Sequence, residues 1–103
     1  MTRLTKLESD FQTDLNSDLE RLFPGCLIIK GNSAMRPGIP DRLVLFENRW
    51  AALEVKRSAT AVHQPNQDWY VELMDRMSFA AFIYPENKEE VLRDLQQAFR
   101  ARR

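Results

Sequence analysis

The stretch Gly38-Ile39-Pro40-Asp41-Arg42-Leu43-Val44-Leu45-Phe46-Glu47-Asn48-Arg49-Trp50-Ala51-Ala52-Leu53-Glu54-Val55-Lys56 decides how this chain folds. Two apolar runs, Asp41–Phe46 and Trp50–Lys56, flank the polar Glu47-Asn48-Arg49, which predicts a β-hairpin. Side chains alternate across a strand, so Glu54 and Lys56 share one face while Val55 points to the other. Whether Asp41 joins them is a matter of loop parity. A two- or four-residue turn sets Asp41 near Glu54 or Lys56. A plain three-residue turn sends it to the opposite face unless a bulge restores the count. An even loop, or a bulge near Glu47–Arg49, is therefore expected. Pro40 suits the position before a strand, where its missing N–H costs nothing.

The chemistry follows from those side chains. Hard cations such as Mg²⁺ or Mn²⁺ take oxygen ligands and retain several waters. Asp41, Glu54 and the backbone carbonyl of Val55 make a candidate site of that kind. Such a metal lowers the pKa of a bound water and neutralises charge building on a phosphate. Lys56 beside it can orient the nucleophile or stabilise developing negative charge. The reaction this suggests is metal-assisted, in-line attack of water on a phosphodiester. Plainer readings exist: Asp41 can cap a turn, and Glu54 with Lys56 can be a solvent-facing pair. Against them, Ala51-Ala52-Leu53-Glu54-Val55 is apolar enough for a central strand, which keeps a carboxylate only where something satisfies it.

Upstream, Leu4, Leu7, Phe11, Leu15, Leu19 and Leu22 recur at helical spacing. Thr5 with Glu8 fits a capping box at the start of that helix, and Pro24-Gly25 stops it. Cys26–Lys30 reads as a short strand and residues 31–40 as a loop. Downstream, Pro65 opens a helix through about Met77, with Trp69, Leu73 and Met77 on one face. Trp69 and Tyr70 are adjacent, so only one can face the core, and Trp69 is the expected core residue. Phe79–Tyr84 is a strand ended by Pro85. Asn87 with Glu90 caps a last helix carrying Val91, Leu92, Leu95 and Phe99. The order is α-β-β-β-α-β-α, an α/β chain read as one domain over residues 1–103.

A further acid can complete the site. Glu8 falls within about 30° of the centre of the first helix's apolar stripe, at ~100° per residue. Its role in the capping box competes equally with a metal-site role, and Asp18 is the reserve. His63, the sole histidine, lies in a polar link and reads as incidental. Gln67, at the start of the second helix, can reach the site or a DNA phosphate, or be an ordinary exposed glutamine.

Formal net charge is zero, which argues against a purely electrostatic nucleic-acid binder. Residues 30–57, however, hold six basic groups against three acids. With Asp41 and Glu54 committed to metal, Lys30, Arg36, Arg42 and Arg57 become candidate DNA contacts. A single cysteine, Cys26, excludes an internal disulfide and any multi-cysteine zinc site, and its apolar run suggests a buried thiol. No apolar run reaches membrane-spanning length, and Met1–Lys6 lacks a secretory signal, so a cytoplasmic setting is expected.

The order αβββαβ with these motifs resembles the PD-(D/E)xK nuclease superfamily and its restriction-endonuclease-like core, a mixed central sheet flanked by helices, here with an extra C-terminal helix. More narrowly, Gly38-Ile39-Pro40-Asp41, Leu53-Glu54-Val55-Lys56 and Gln67 with a nearby aromatic look like the virus-type replication-repair nuclease (VRR-NUC) domain. Glu8 followed by Gln12 fits the same pattern, and the likeness spans roughly residues 8–85. It implies a Mg²⁺- or Mn²⁺-dependent DNA endonuclease, with Asp41, Glu54 and Glu8 serving the metal, Lys56 the chemistry and Gln67 a supporting role. Stand-alone members of this kind, often from phages, resemble Holliday-junction resolvases and act as homodimers, in the host cytoplasm if phage-encoded. A restriction-like or homing nuclease cutting duplex DNA, and a non-catalytic DNA-binding module, are the alternatives. The link Arg57–Pro65 departs from the family pattern in lacking a glycine soon after the Glu-x-Lys lysine.

Overall fold

The computed structural model describes residues 2–31 and 36–100, with side chains from Ser9 onward. Helix α1 spans Thr2–Leu22, followed by β1 (Leu27–Lys30), β2 (Arg42–Phe46), β3 (Arg49–Val55), α2 (Gln67–Met77), β4 (Phe79–Ile83) and α3 (Lys88–Arg100). The strands form one mixed sheet in the order β1-β2-β3-β4, antiparallel except for the β3–β4 pair, which is parallel. That parallel pair needs a crossover, and α2 supplies it.

Phe46 pairs with Arg49 across the hairpin, so the loop is the two residues Glu47 and Asn48. Even parity is therefore met without a bulge. Glu47 takes a left-handed conformation, φ 57°, as tight hairpin turns demand of their first loop residue. The register places Arg42 opposite Leu53, and continuing it by one residue brings Asp41 to Glu54.

Amphipathic patterning assigns the helices to faces. Leu15, Leu19 and Phe23 join Val91, Leu92, Leu95 and Phe99 of α3 over Val44, Ala51, Leu53 and Ile83. Phe23, Phe46 and Phe99 close this core with ring centroids 5.0–5.9 Å apart. The opposite face holds a smaller cluster: Val71 and Met74 of α2 pack on Ala52 and Ala80, with Leu43, Trp50 and Phe82 around them.

Four expectations are corrected. Thr5 lies inside α1, which begins at Thr2, so no capping box starts there. Trp69 and Met77 are not core residues, being 58% and 64% exposed; α2 buries Gln67 and Val71 instead. The helix rotates that way because Gln67 has partners in the sheet. Its start is Gln67 rather than Pro65, with Asn66 before it in the left-handed region. Asn87 precedes α3, but its Oδ1 accepts from Tyr84 N–H and its Nδ2 donates to Phe82 O. It therefore staples the β4–α3 turn rather than capping the helix.

Candidate functional site

Asp41, Glu54 and Lys56 converge at one end of the sheet, where β2 begins and β3 ends. Two close approaches deliver Asp41 there. Gly31 N–H donates to Asp41 O at 2.9 Å, and a Cβ on Gly31 would lie 2.4 Å from Pro40 O. Gly38 has φ +93° and packs so tightly on Asn66 that a Cβ would sit 2.7 Å from Asn66 Cβ. The loop before Asp41 is thereby clasped to the turn before α2. Val55 N–H then donates to Asp41 Oδ1 at 3.2 Å, tying the carboxylate to the end of β3.

Glu54 is buried, with 6% of its surface exposed. Its Oε2 accepts from Gln67 Nε2 at 2.9 Å, whereas its Oε1 is buried with no hydrogen-bond partner among the described residues. Burial, then the neighbouring Asp41 charge, push its pKa up to about 7, and Lys56, the Asp41 amide and Arg42 pull only partway back. Burial also raises Asp41, against the Val55 N–H and the Arg42 charge. Two carboxyl groups held together in a low-dielectric site, one with an orphaned oxygen, are a poor arrangement for the protein alone. They fit a hard cation, which Asp41, Glu54 and the Val55 carbonyl would hold.

Lys56 Nζ donates to Gln67 Oε1 at 2.6 Å and to Val62 O at 3.1 Å. Gln67 Oε1 also accepts from Gln64 N–H at 2.8 Å. With donors on its oxygen and a carboxylate on its nitrogen, only one orientation of the Gln67 amide satisfies every partner. Beside this network a cleft of about 40 Å³ opens between α1 and β3, lined by Phe11, Gln12, Val55, Lys56 and Arg57. It admits a few waters, far less than the volume that encloses a small organic ligand. No protein-family model, curated protein or solved structure matches this chain. The geometry therefore stands alone beside the resemblance in the sequence.

The remaining expected residues divide. Lys30, Arg36 and Arg57 are exposed, and Arg36 Nη1 lies 3.5 Å from Tyr70 OH. Arg42 is not a surface cation: it is 5% exposed and donates to Gln12 Oε1 at 3.0 Å and Asn16 Oδ1 at 3.5 Å. It docks α1 beside Asp41 and is withdrawn as a DNA contact, since a guanidinium enclosed by two amides cannot also meet a phosphate at the surface. Asp18 is withdrawn as a reserve ligand, because Lys88 at 2.6 Å and Arg21 at 3.0 Å hold it between α1 and α3. His63 stacks on Phe82, centroids 4.1 Å apart, with Nδ1 2.7 Å from Asp68 Oδ1, a packing role. Glu8 lies on α1, but its side chain falls outside the described residues. Among the described residues, no three acidic, histidine or cysteine side chains gather around one point. Asn16 escaped the sequence reading, although Gln12 and Asn16, one helical turn apart beside an apolar stripe, are a signal for a buried partner.

Proposed function

We propose that this chain is a Mg²⁺- or Mn²⁺-dependent DNA endonuclease with a restriction-endonuclease-like core of the VRR-NUC kind. The observation that carries this reading is the buried Glu54 carboxyl, whose Oε1 has no hydrogen-bond partner among the described residues, close enough to Asp41 to feel its charge. A divalent cation in that place would activate a water and neutralise charge on a phosphodiester. Asp41 and Glu54 would hold it, and the Val55 carbonyl would add a third oxygen. Lys56, fixed by Gln67 and Val62, presents its ammonium group to the phosphate. Gln67 keeps both side chains aligned. Lys30, Arg36 and Arg57 offer positive charge to the DNA backbone.

The substrate we favour is branched DNA, a four-way junction above all, resolved by a homodimer. Two symmetric strands to be cut invite two symmetric sites. A non-catalytic DNA-binding module is the second reading, favoured by the fact that only two described carboxylates meet at the site. Labelled junction, flap and linear duplex incubated with Mg²⁺ or Mn²⁺ separate them. Symmetric nicking of the junction is the expected result. Site-dependent duplex cutting marks a restriction-like enzyme, and binding without scission in either metal overturns the nuclease reading.

A further inference from the structure

The link from Arg57 to Asn66 carries no helix or strand, yet it is fixed along its length. Lys56 Nζ donates to Val62 O at 3.1 Å, and Gln64 N–H to Gln67 Oε1 at 2.8 Å. Ala61 N–H donates to Ser58 O, and Ala59 N–H to Glu86 Oε1, each at 3.2 Å. His63 rests on Phe82 and meets Asp68. These contacts make the link a wall beside Lys56. They leave Val62 outside: it is 77% exposed, although Ala61 and His63 on either side of it are held.

A single exposed valine is ordinary; what surrounds this one is not. Ala61, Val62 and Gln64 of the wall, with Val55, Lys56 and Arg57 at the end of β3, line a groove of about 360 Å³. The small cleft toward α1 shares Val55, Lys56 and Arg57 with it, so the groove adjoins the candidate metal site. Its described lining holds two cations and no acid. The acids that touch the link, Glu86 and Asp68, are engaged with Ala59 N–H and His63. The groove therefore suits an anion with an apolar part. Its volume, at the lower end of the roughly 300–1,000 Å³ of ligand clefts, is on the scale of one nucleoside rather than a base pair.

We infer that this groove seats one unpaired nucleotide of the substrate strand, beside the phosphate at the metal site. The inference rests on the nuclease reading for where the strand runs, and goes beyond it in the substrate it demands. Lys56 serves the scissile phosphate, and Arg57, one residue on, the neighbouring one. Val62, Ala61 and the aliphatic stems of Lys56 and Arg57 offer the base an apolar face. A paired base has both faces covered by its stack and cannot lie against such a wall, whereas an unpaired base leaves its stack at small cost. The tethered link keeps the seat preformed, so little ordering entropy is lost on binding. The substrate class is DNA with an unpaired nucleotide at the cut: a gap, the branch of a flap or the crossover of a junction, and not continuous duplex.

Fluorescence titration of the full chain tests it, in EDTA so that no strand is cut. The probes are two duplexes of one sequence, with 2-aminopurine paired in one and left as a single unpaired nucleotide in the other. The chain should bind the unpaired probe about three- to tenfold more tightly, the scale of burying part of one apolar side chain. Emission should rise as the base leaves its stack. Val62→Ser should remove most of that preference and leave paired-duplex binding, circular dichroism and thermal melting unchanged, because Val62 is exposed. Val62→Phe should widen the preference and quench the emission, since the base then stacks on a ring. Thr60→Ser, on the link but outside the groove, should match wild type. Affinities within about threefold of each other, or a preference that survives Val62→Ser, overturn the inference, and Mg²⁺-dependent cleavage in the same samples leaves the nuclease reading standing. A Val62-dependent preference without cleavage in Mg²⁺ or Mn²⁺ keeps the seat and removes the nuclease. Absence of both binding and cleavage overturns the two together.

Discussion

Lys56 Nζ donates to Gln67 Oε1 at 2.6 Å while the same amide donates through Nε2 to Glu54 Oε2 at 2.9 Å. One side chain in the first turn of α2 thus holds the carboxyl and the ammonium group of the site in register. Gln67→Ala frees Lys56 and leaves Glu54 with two unpartnered oxygens. Cleavage should fall about 10- to 100-fold, and stability by roughly 1–3 kcal/mol, the cost of an unsatisfied buried polar group. Gln67→Glu should be worse than alanine, since it sets a third carboxylate against Glu54. Single-turnover cleavage and thermal melts read both effects.

Activity and stability should move in opposite directions at Glu54. Glu54→Gln removes the buried charge and lets an amide face Asp41, so the cation-free protein should gain roughly 1–2 kcal/mol at pH 8. Cleavage should drop about a thousandfold or more, the scale of losing a metal-activated nucleophile. Asp41→Asn should lose activity likewise and keep junction binding. Turnover within tenfold of wild type in either variant would remove that residue from the chemistry.

Stability without divalent cation should depend on pH with a definite sign. Glu54 releases its proton near 4.5 when unfolded and near 7 in the folded chain. Below pH 4.5 both states are protonated and carry no penalty. Between about 4.5 and 7 the unfolded chain gives up the proton first, so stability falls as pH rises, then levels off. Mg²⁺ binding displaces that proton, so stabilisation by Mg²⁺ should grow as pH rises through about 7. Melting curves at pH 5 and 8, with and without Mg²⁺, measure it. A cation effect equal at both pH values would refute the assigned ligand.

Arginines close in sequence should behave unlike one another. Arg57→Ala should reduce the salt dependence of DNA binding by about one unit of slope, as loss of a phosphate contact does. Arg42→Leu should leave that slope alone and cost about 2–4 kcal/mol, because it strands the Gln12 and Asn16 amides beneath α1. Binding isotherms across a salt series, with melts of the same samples, distinguish the two.

Much of this was legible in residue order. Alternation in Asp41–Phe46 and Trp50–Lys56, together with an even loop, placed Asp41 beside Glu54. Pro24-Gly25 and Pro85 marked real ends. What escaped notice shares one cause: a polar residue that finds a partner in three dimensions outranks an apolar one in claiming the buried side. Gln67 turned α2 so that Trp69 and Met77 face outward. Arg42 went beneath α1 because Gln12 and Asn16 awaited it, which charge counting along residues 30–57 cannot register. Asn87 had the composition of a helix cap and gave its side chain to β4.

The two-residue tip at Glu47-Asn48 constrains how this chain can vary over generations. One residue inserted there without a compensating bulge would rotate every β2 side chain by half a turn about the strand, exchanging Val44 with Leu43 in the core and sending the Asp41 carboxylate away from Glu54. Two residues would restore the alternation. Length at that tip consequently changes in pairs or together with a bulge, and substitution is far freer than insertion.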